Sequence, residues 1–283
     1  MEFDSRYGFL FMRDGKRANI PPMGVLVPER PDRCARARLR DRIFIHLSLT
    51  SRDLTSASLY QDVTALLASE YYASSGSVTA AIRKALRAAN TKLMRHNAQV
   101  AGVEKQRGGV TFAVLREEEV FMAQVGAALC WVSHQGQLQR FISTDDRQSP
   151  SLGLQLAVNA RFHHSWIHPG DMLVLSDPNA TPMSNEQIQN AVGLEKVTDS
   201  LNNLAKMLKQ GGSARIMVVR FSASQAAETA MTAADVSSVE SNGAAGIAEE
   251  PREPEPIEFS ASLPDPPKRF EVPHIPIPNV EVD

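Results

Sequence analysis

From Gly109 to Ser176 the apolar residues recur with the two-residue period of strands, not the 3.6-residue period of helices. Val110–Leu115, Val120–Val125, Ala128–Ser133 and Leu138–Ile142 are separated by charged or glycine-containing turns, which is the pattern of an antiparallel meander. Ala160–Ile167 and Met172–Ser176 add two more strands. A chain with this much consecutive strand must find something to cover its sheets. That requirement limits the fold more than any other feature.

The flanking segments supply the cover. Leu59, Val63, Leu66 and Leu67 form one apolar helix face, and Ser58 with Gln61 has the spacing of a capping box. A second helix is expected from about Ser77, with Val78, Ala81, Ile82, Ala85, Leu86, Ala89 and Leu93 inward and Arg83, Lys84, Arg87, Lys92 and Arg95 in water. Ser184 and Gln187 cap a short helix, and Val197, Leu201, Leu204, Ala205 and Leu208 mark a longer one ending near Gly211. Gly8–Met12 before the Asp14-Gly15 turn, Met23–Val27, Arg42–Leu47 and Ile216–Phe221 are further strands, and Arg30–Arg42 is an arginine-dense connection. The order calls for an α+β domain in which helices cover antiparallel sheets, with the strand pairing left open.

Composition changes after residue 222. Residues 223–283 hold 9 of the 17 prolines and 12 Asp/Glu against 3 Lys/Arg, leaving 27 basic and 20 acidic residues in 1–222. So acidic and proline-rich a segment buries too little apolar surface to offset ordering entropy, and a disordered tail is expected. Its end, Lys268–Pro278, alternates apolar residues with proline in the manner of a polyproline II ligand for a protein partner. The body lacks aromatics interleaved with its basic residues, so no nucleic-acid surface is expected. No apolar run reaches the length of a membrane span, and the polar start Met1–Arg6 does not resemble a signal peptide. Two cysteines, Cys34 and Cys130, make neither a disulfide framework nor a zinc site. A cytoplasmic protein is the expectation.

Several stretches between about residues 40 and 222 resemble the metal-dependent protein phosphatases (PPM, type 2C). Val120–Val132 is similar to the strand pair that carries Val-Gly-Asp-Ser-Arg in that family, and Ile167–Asp177 is similar to its Pro-Gly-Asp…Ser-Asp-Gly strand, with Pro169-Gly170-Asp171 intact. The resemblance implies a four-layer α-β-β-α sandwich, two antiparallel sheets flanked by helix pairs, over 1–222. It also implies a reaction driven by two divalent cations held by carboxylates, with a bridging water as nucleophile.

The carboxylates are mostly missing. Where the family's strand ends in Asp-Gly, this chain has Ser48-Leu49; where it has Gly-Asp-Ser, this chain has Gly126-Ala127-Ala128. Ser176-Asp177 remains, followed by Pro178 in place of glycine, and Ala214-Arg215 stands where Asp-Asn precedes the last strand. Of the metal aspartates only Asp177 is kept, with losses at Ser48, Ala127 and Ala214. Hard cations favour anionic oxygen donors, so no catalytic residue, metal or other cofactor is expected. Asp53 is the one candidate for a displaced carboxylate. Arg215 becomes a candidate contact for a phosphorylated or acidic ligand.

The expectation is a catalytically inactive, phosphatase-like (pseudophosphatase) module that binds or regulates a protein partner in Ser/Thr phosphorylation signalling, with the proline-rich tail as a second contact. The alternatives are an active Mg- or Mn-dependent Ser/Thr phosphatase with rearranged ligands, and a structural part of a larger assembly. His163, His164 and His168 are too awkwardly placed to share a metal, because neighbours on a strand point to opposite faces. Cys130 is read as packing.

Overall fold

Three apolar clusters divide a computed structural model of the chain into four layers, and they follow from the alternation described above. The structure describes residues 3–223 apart from 51–56, 101, 103–104, 144–149, 181 and 210–212. The tail (224–283), Asp53 and the expected helix end at Gly211 therefore lie outside the described residues.

The strands are β1 (Phe3–Arg13), β2 (Lys16–Arg17), β3 (Val25–Leu26), β4 (Arg42–Leu49), β5 (Gly108–Arg116), β6 (Glu119–Val125), β7 (Ala128–His134), β8 (Gln137–Ser143), β9 (Arg161–Trp166), β10 (Met172–Ser176) and β11 (Ala214–Ala223). The helices are α1 (Ala57–Ala73), α2 (Val78–Gln99), α3 (Asn185–Val192) and α4 (Val197–Leu208). One sheet has the order β2-β1-β11-β10-β7-β8 and the other β3-β4-β5-β6-β9, and every pairing in both is antiparallel. Inward-facing Phe44, Met122, Cys130, Leu173, Leu175, Met217 and Phe221 fill the space between the sheets. On the outer faces, α1 and α2 pack on the five-stranded sheet and α3 and α4 on the six-stranded one. This is the expected α-β-β-α sandwich.

Local chemistry explains most boundaries. Asp14 and Gly15 both take positive φ (51° and 73°), the geometry of a tight hairpin between β1 and β2. Ser77 caps α2 by accepting from the Ala80 amide, and Ser184 with Gln187 forms a reciprocal capping box on α3. Ser58, expected as a cap, lies inside α1, whose first described residue is Ala57. The expected strand Met23–Val27 shrinks to Val25–Leu26. Pro21 and Pro22 lack amide donors, and Gly24 at φ 79° turns the chain so tightly that an added Cβ would lie 2.3 Å from the Leu47 carbonyl oxygen.

Candidate functional site

Asp177 follows the last residue of β10, and the β10–β11 register, Ser176 against Ile216, sets it beside Arg215. The two backbones lock together: the Asp177 amide donates to the Arg215 carbonyl (3.2 Å) and the Arg215 amide to Asp177 Oδ2 (2.8 Å). Side chains alternate along β11, so Ala214 joins the outer cluster against α4 while Arg215 turns toward the opposite sheet. Ser48 reaches them from the end of β4. Its strand neighbour Gly109 is bare because a Cβ there would sit 1.8 Å from the Ala127 carbonyl oxygen. The fold thus gathers Ser48, Ala127, Asp177, Ala214 and Arg215 at one end of the sandwich.

The guanidinium of Arg215 fills the centre of this cradle. Its Nε donates to Asp177 Oδ2 (3.0 Å) and its Nη2 to Asp177 Oδ1 (2.7 Å) and Ser48 Oγ (2.8 Å). Nη1 donates to the Met23 carbonyl (2.7 Å), and the group lies 5.3 Å from the centre of the Tyr60 ring. Ser48 Oγ donates to Asp177 Oδ1 as well. Both charged side chains are buried, at 8% and 5% exposure. Around them remains a cavity of about 50 Å³, bordered by Met23, Tyr60, Ser213 and Arg215. That is space on the scale of one or two waters.

Burial of Asp177 disfavours its ionised form, but neighbouring charge on His46 and Arg215 and hydrogen bonds from Arg215 and Ser48 outweigh it, lowering the carboxyl from 3.8 to about 2. His46, on β4, donates from Nε2 to the Arg215 carbonyl (2.9 Å). Burial lowers the His46 pKa below 6.5, with Asp177 acting the other way. The imidazole is therefore neutral near pH 7, so Arg215 is the partner that holds Asp177 ionised there. For Arg215, burial is overcome by the Asp177 charge, and its pKa is raised.

The signs set a pH dependence. An unfolded chain protonates His46 first as pH falls below 6.5, so its contribution to stability is present above that value and lost on acidification; that of Asp177 is lost later, between 3.8 and about 2. Denaturant titrations are expected to show stability falling as the pH drops below 6.5, with a shallower fall in His46→Gln. An unchanged slope in that variant would remove His46 as a cause.

The donor set among the described residues does not fit a pair of divalent cations. Among the described residues the cradle offers one carboxylate, and both its oxygens are engaged by Arg215 and Ser48. Two adjacent dications need several fixed anionic oxygens to offset their repulsion, and a guanidinium adds a further positive charge.

The remaining candidates separate. His163 packs at a tilt against Phe141 (4.4 Å between ring centres), while His164 packs at a tilt against Phe121 (4.7 Å) and approaches Glu119. His168 meets neither and lies 4.9 Å from the ring of His134. Cys130 is buried between the sheets, and burial pushes its thiol pKa up. Sequence reasoning missed His46 and Tyr60; the signal for the first was a lone histidine within the apolar run of β4. No helix among the described residues is long and apolar enough to cross a membrane.

No family model matches the chain, nor does any curated protein sequence. Solved structures do: the fold is that of the PPM Ser/Thr protein phosphatase catalytic domains. The Mycobacterium tuberculosis serine/threonine phosphatase PstP/Ppp is 17% identical at a TM-score of 0.58, over 77% of this chain and 99% of that one. The Mycobacterium smegmatis PPM Ser-Thr phosphatase MsPP, solved with cacodylate, is 11% identical (TM-score 0.56; 76% and 97% covered). PppA, a key regulatory component of T6SS in Pseudomonas aeruginosa, is 12% identical (TM-score 0.55; 77% and 97% covered).

Proposed function

We propose that this chain is a pseudophosphatase: a phosphatase-fold module without hydrolytic activity that binds or regulates a protein partner in Ser/Thr phosphorylation signalling. One observation carries the reading, the Arg215 guanidinium seated against Asp177 where the fold's enzymes need concentrated negative charge. A neutral Ser48 hydroxyl and the Ala127 methyl replace the other donors, so no cation pair assembles and no water is activated. An acidic or phosphorylated ligand reaches Arg215 only by exchanging with the Asp177 carboxylate. The acidic, proline-rich segment 223–283 is proposed as a second contact with the partner.

The test is turnover and metal binding together. Hydrolysis of p-nitrophenyl phosphate with millimolar Mn is expected to stay at background, and Mg calorimetry to give no two-ion isotherm. Turnover that disappears in Asp177→Ala would replace this reading with that of an active enzyme using rearranged ligands.

A further inference from the structure

At the opposite end of β10 from Asp177, two turns of the six-stranded sheet bring together two imidazoles and a carboxylate. β7 ends at His134, and the register Met172 against Ser133 puts Asp171 directly across from it. His168 stands three residues before Asp171, ahead of the turn at Gly170 (φ 96°). We propose that His134, His168 and Asp171 form a binding site for one borderline transition-metal dication of the zinc class.

The donor atoms of the three side chains all lie within 4.8 Å of one another. Asp171 Oδ2 is 3.2 Å from His134 Nδ1 and 3.8 Å from His168 Nδ1. Metal–donor bonds of about 2.0–2.1 Å in a tetrahedron put donors about 3.3–3.5 Å apart, so closure needs only small rotations of the imidazoles. The carboxylate is already oriented: the Gln135 amide donates to Oδ1 (3.0 Å), which keeps a further lone pair, and the His168 amide to Oδ2 (2.7 Å), whose second contact, His134 Nδ1 at 3.2 Å, a metal would replace. Asp171 is 6% exposed while His134 and His168 are 38% and 54% exposed, which gives a fixed anion at the base and two movable donors facing solvent. Arg220, paired across from Met172, spends its Nη1 on the Leu194 carbonyl. Two imidazoles with one carboxylate select zinc, cobalt, nickel or copper over magnesium or calcium, which favour oxygen alone.

Three protein donors leave a fourth position for water or for a side chain of a partner. Six residues of extended chain put this site roughly 20 Å from Asp177, and it does not rest on the inactivity of that cradle. The sequence concealed it because His168 finds His134 across the sheet and Asp171 beyond a tight turn, and not the adjacent histidines.

Calorimetry of the tag-free full chain, stripped with chelator, tests the site. Zinc is expected to saturate with one equivalent that magnesium does not displace, and cobalt to develop the visible absorption of a low-coordinate site. His168→Ala, a mostly exposed change that leaves the fold intact by circular dichroism, is expected to weaken zinc binding by at least about tenfold. His134→Ala with His168→Ala is expected to abolish that equivalent, and His163→Ala to leave it unchanged. No saturable uptake up to about 1 mM zinc, or uptake indifferent to the loss of His168, overturns the proposal.

Discussion

Arg215→Ala is expected to destabilise the domain by about 3–5 kcal/mol, because it strands Asp177 as a buried carboxylate without its counter-ion. The arginine contributes four side-chain hydrogen bonds within the cradle, three to Asp177 and Ser48 and one to Met23. Removing it also leaves the Met23 carbonyl without that donor. For a domain of this size the loss lowers Tm by roughly 10 °C. Asp177→Ala is expected to cost a similar amount from the other side, by burying an unpaired guanidinium. Asp177→Leu combined with Arg215→Met removes both charges and is expected to recover most of the loss, since apolar replacements of buried pairs are often near neutral. Urea unfolding of these proteins, with the Asp177→Ala/Arg215→Ala double variant closing the cycle, gives the coupling. A coupling below about 0.5 kcal/mol would mean a solvated pair and an open cradle, and the proposed reason for inactivity would go with it.

Asp41→Ala is expected to have an effect at least as large on stability. Asp41 accepts from Arg38 Nη1 (3.1 Å), Arg116 Nε and Nη2 (both 2.7 Å) and the Tyr71 hydroxyl (2.6 Å). Arg38 is fully buried and spends its other donors on the carbonyls of Ser74 (3.0 Å), Gly76 (2.6 Å) and Ser77 (2.8 Å). Burial, the Asp41 charge and its hydrogen bond push the Tyr71 hydroxyl pKa up. The carboxylate therefore ties the segment before β4 to the α1–α2 turn and the end of β5. Deleting it leaves a buried guanidinium without its counter-ion and a buried phenol without its acceptor, a loss of about 4 kcal/mol or more. Asp41→Asn keeps the shape without the charge and is expected to fall between. Thermal unfolding followed by circular dichroism measures all three; a loss under about 1 kcal/mol for the alanine variant contradicts the network.

Local periodicity made the elements legible and left their partners obscure. The strand runs from Val110 to Ser176, the start of α2 near Ser77 and the cap at Ser184 depend on residues a few positions apart and stand where the sequence put them, while the cap expected at Ser58 does not. The pairing of β1 with β11 joins Phe3 to Ala223, a contact that no local pattern encodes. Arg38 was hidden in an arginine-dense stretch that reads as a solvated connection, because burial of a cation depends on carbonyls and a carboxylate brought from elsewhere. The cradle was half legible. Asp177 and Arg215 stood out one at a time, but their ion pair depends on strand register, which sequence spacing does not give.

The position of β11 has a consequence for biosynthesis. This strand lies between β1 and β10, inside its sheet, and it is the last described element to leave the ribosome. Until then β1 lacks its main neighbour and β10 presents an unpaired edge, the kind of surface on which nascent chains stick to one another. Arg215 arrives on the same strand, so the charge that neutralises Asp177 and the ladder that completes the sheet are delivered in one late step. Translation that stops before residue 214 leaves a bare edge and a lone anion together, a species for chaperones to hold or proteases to clear.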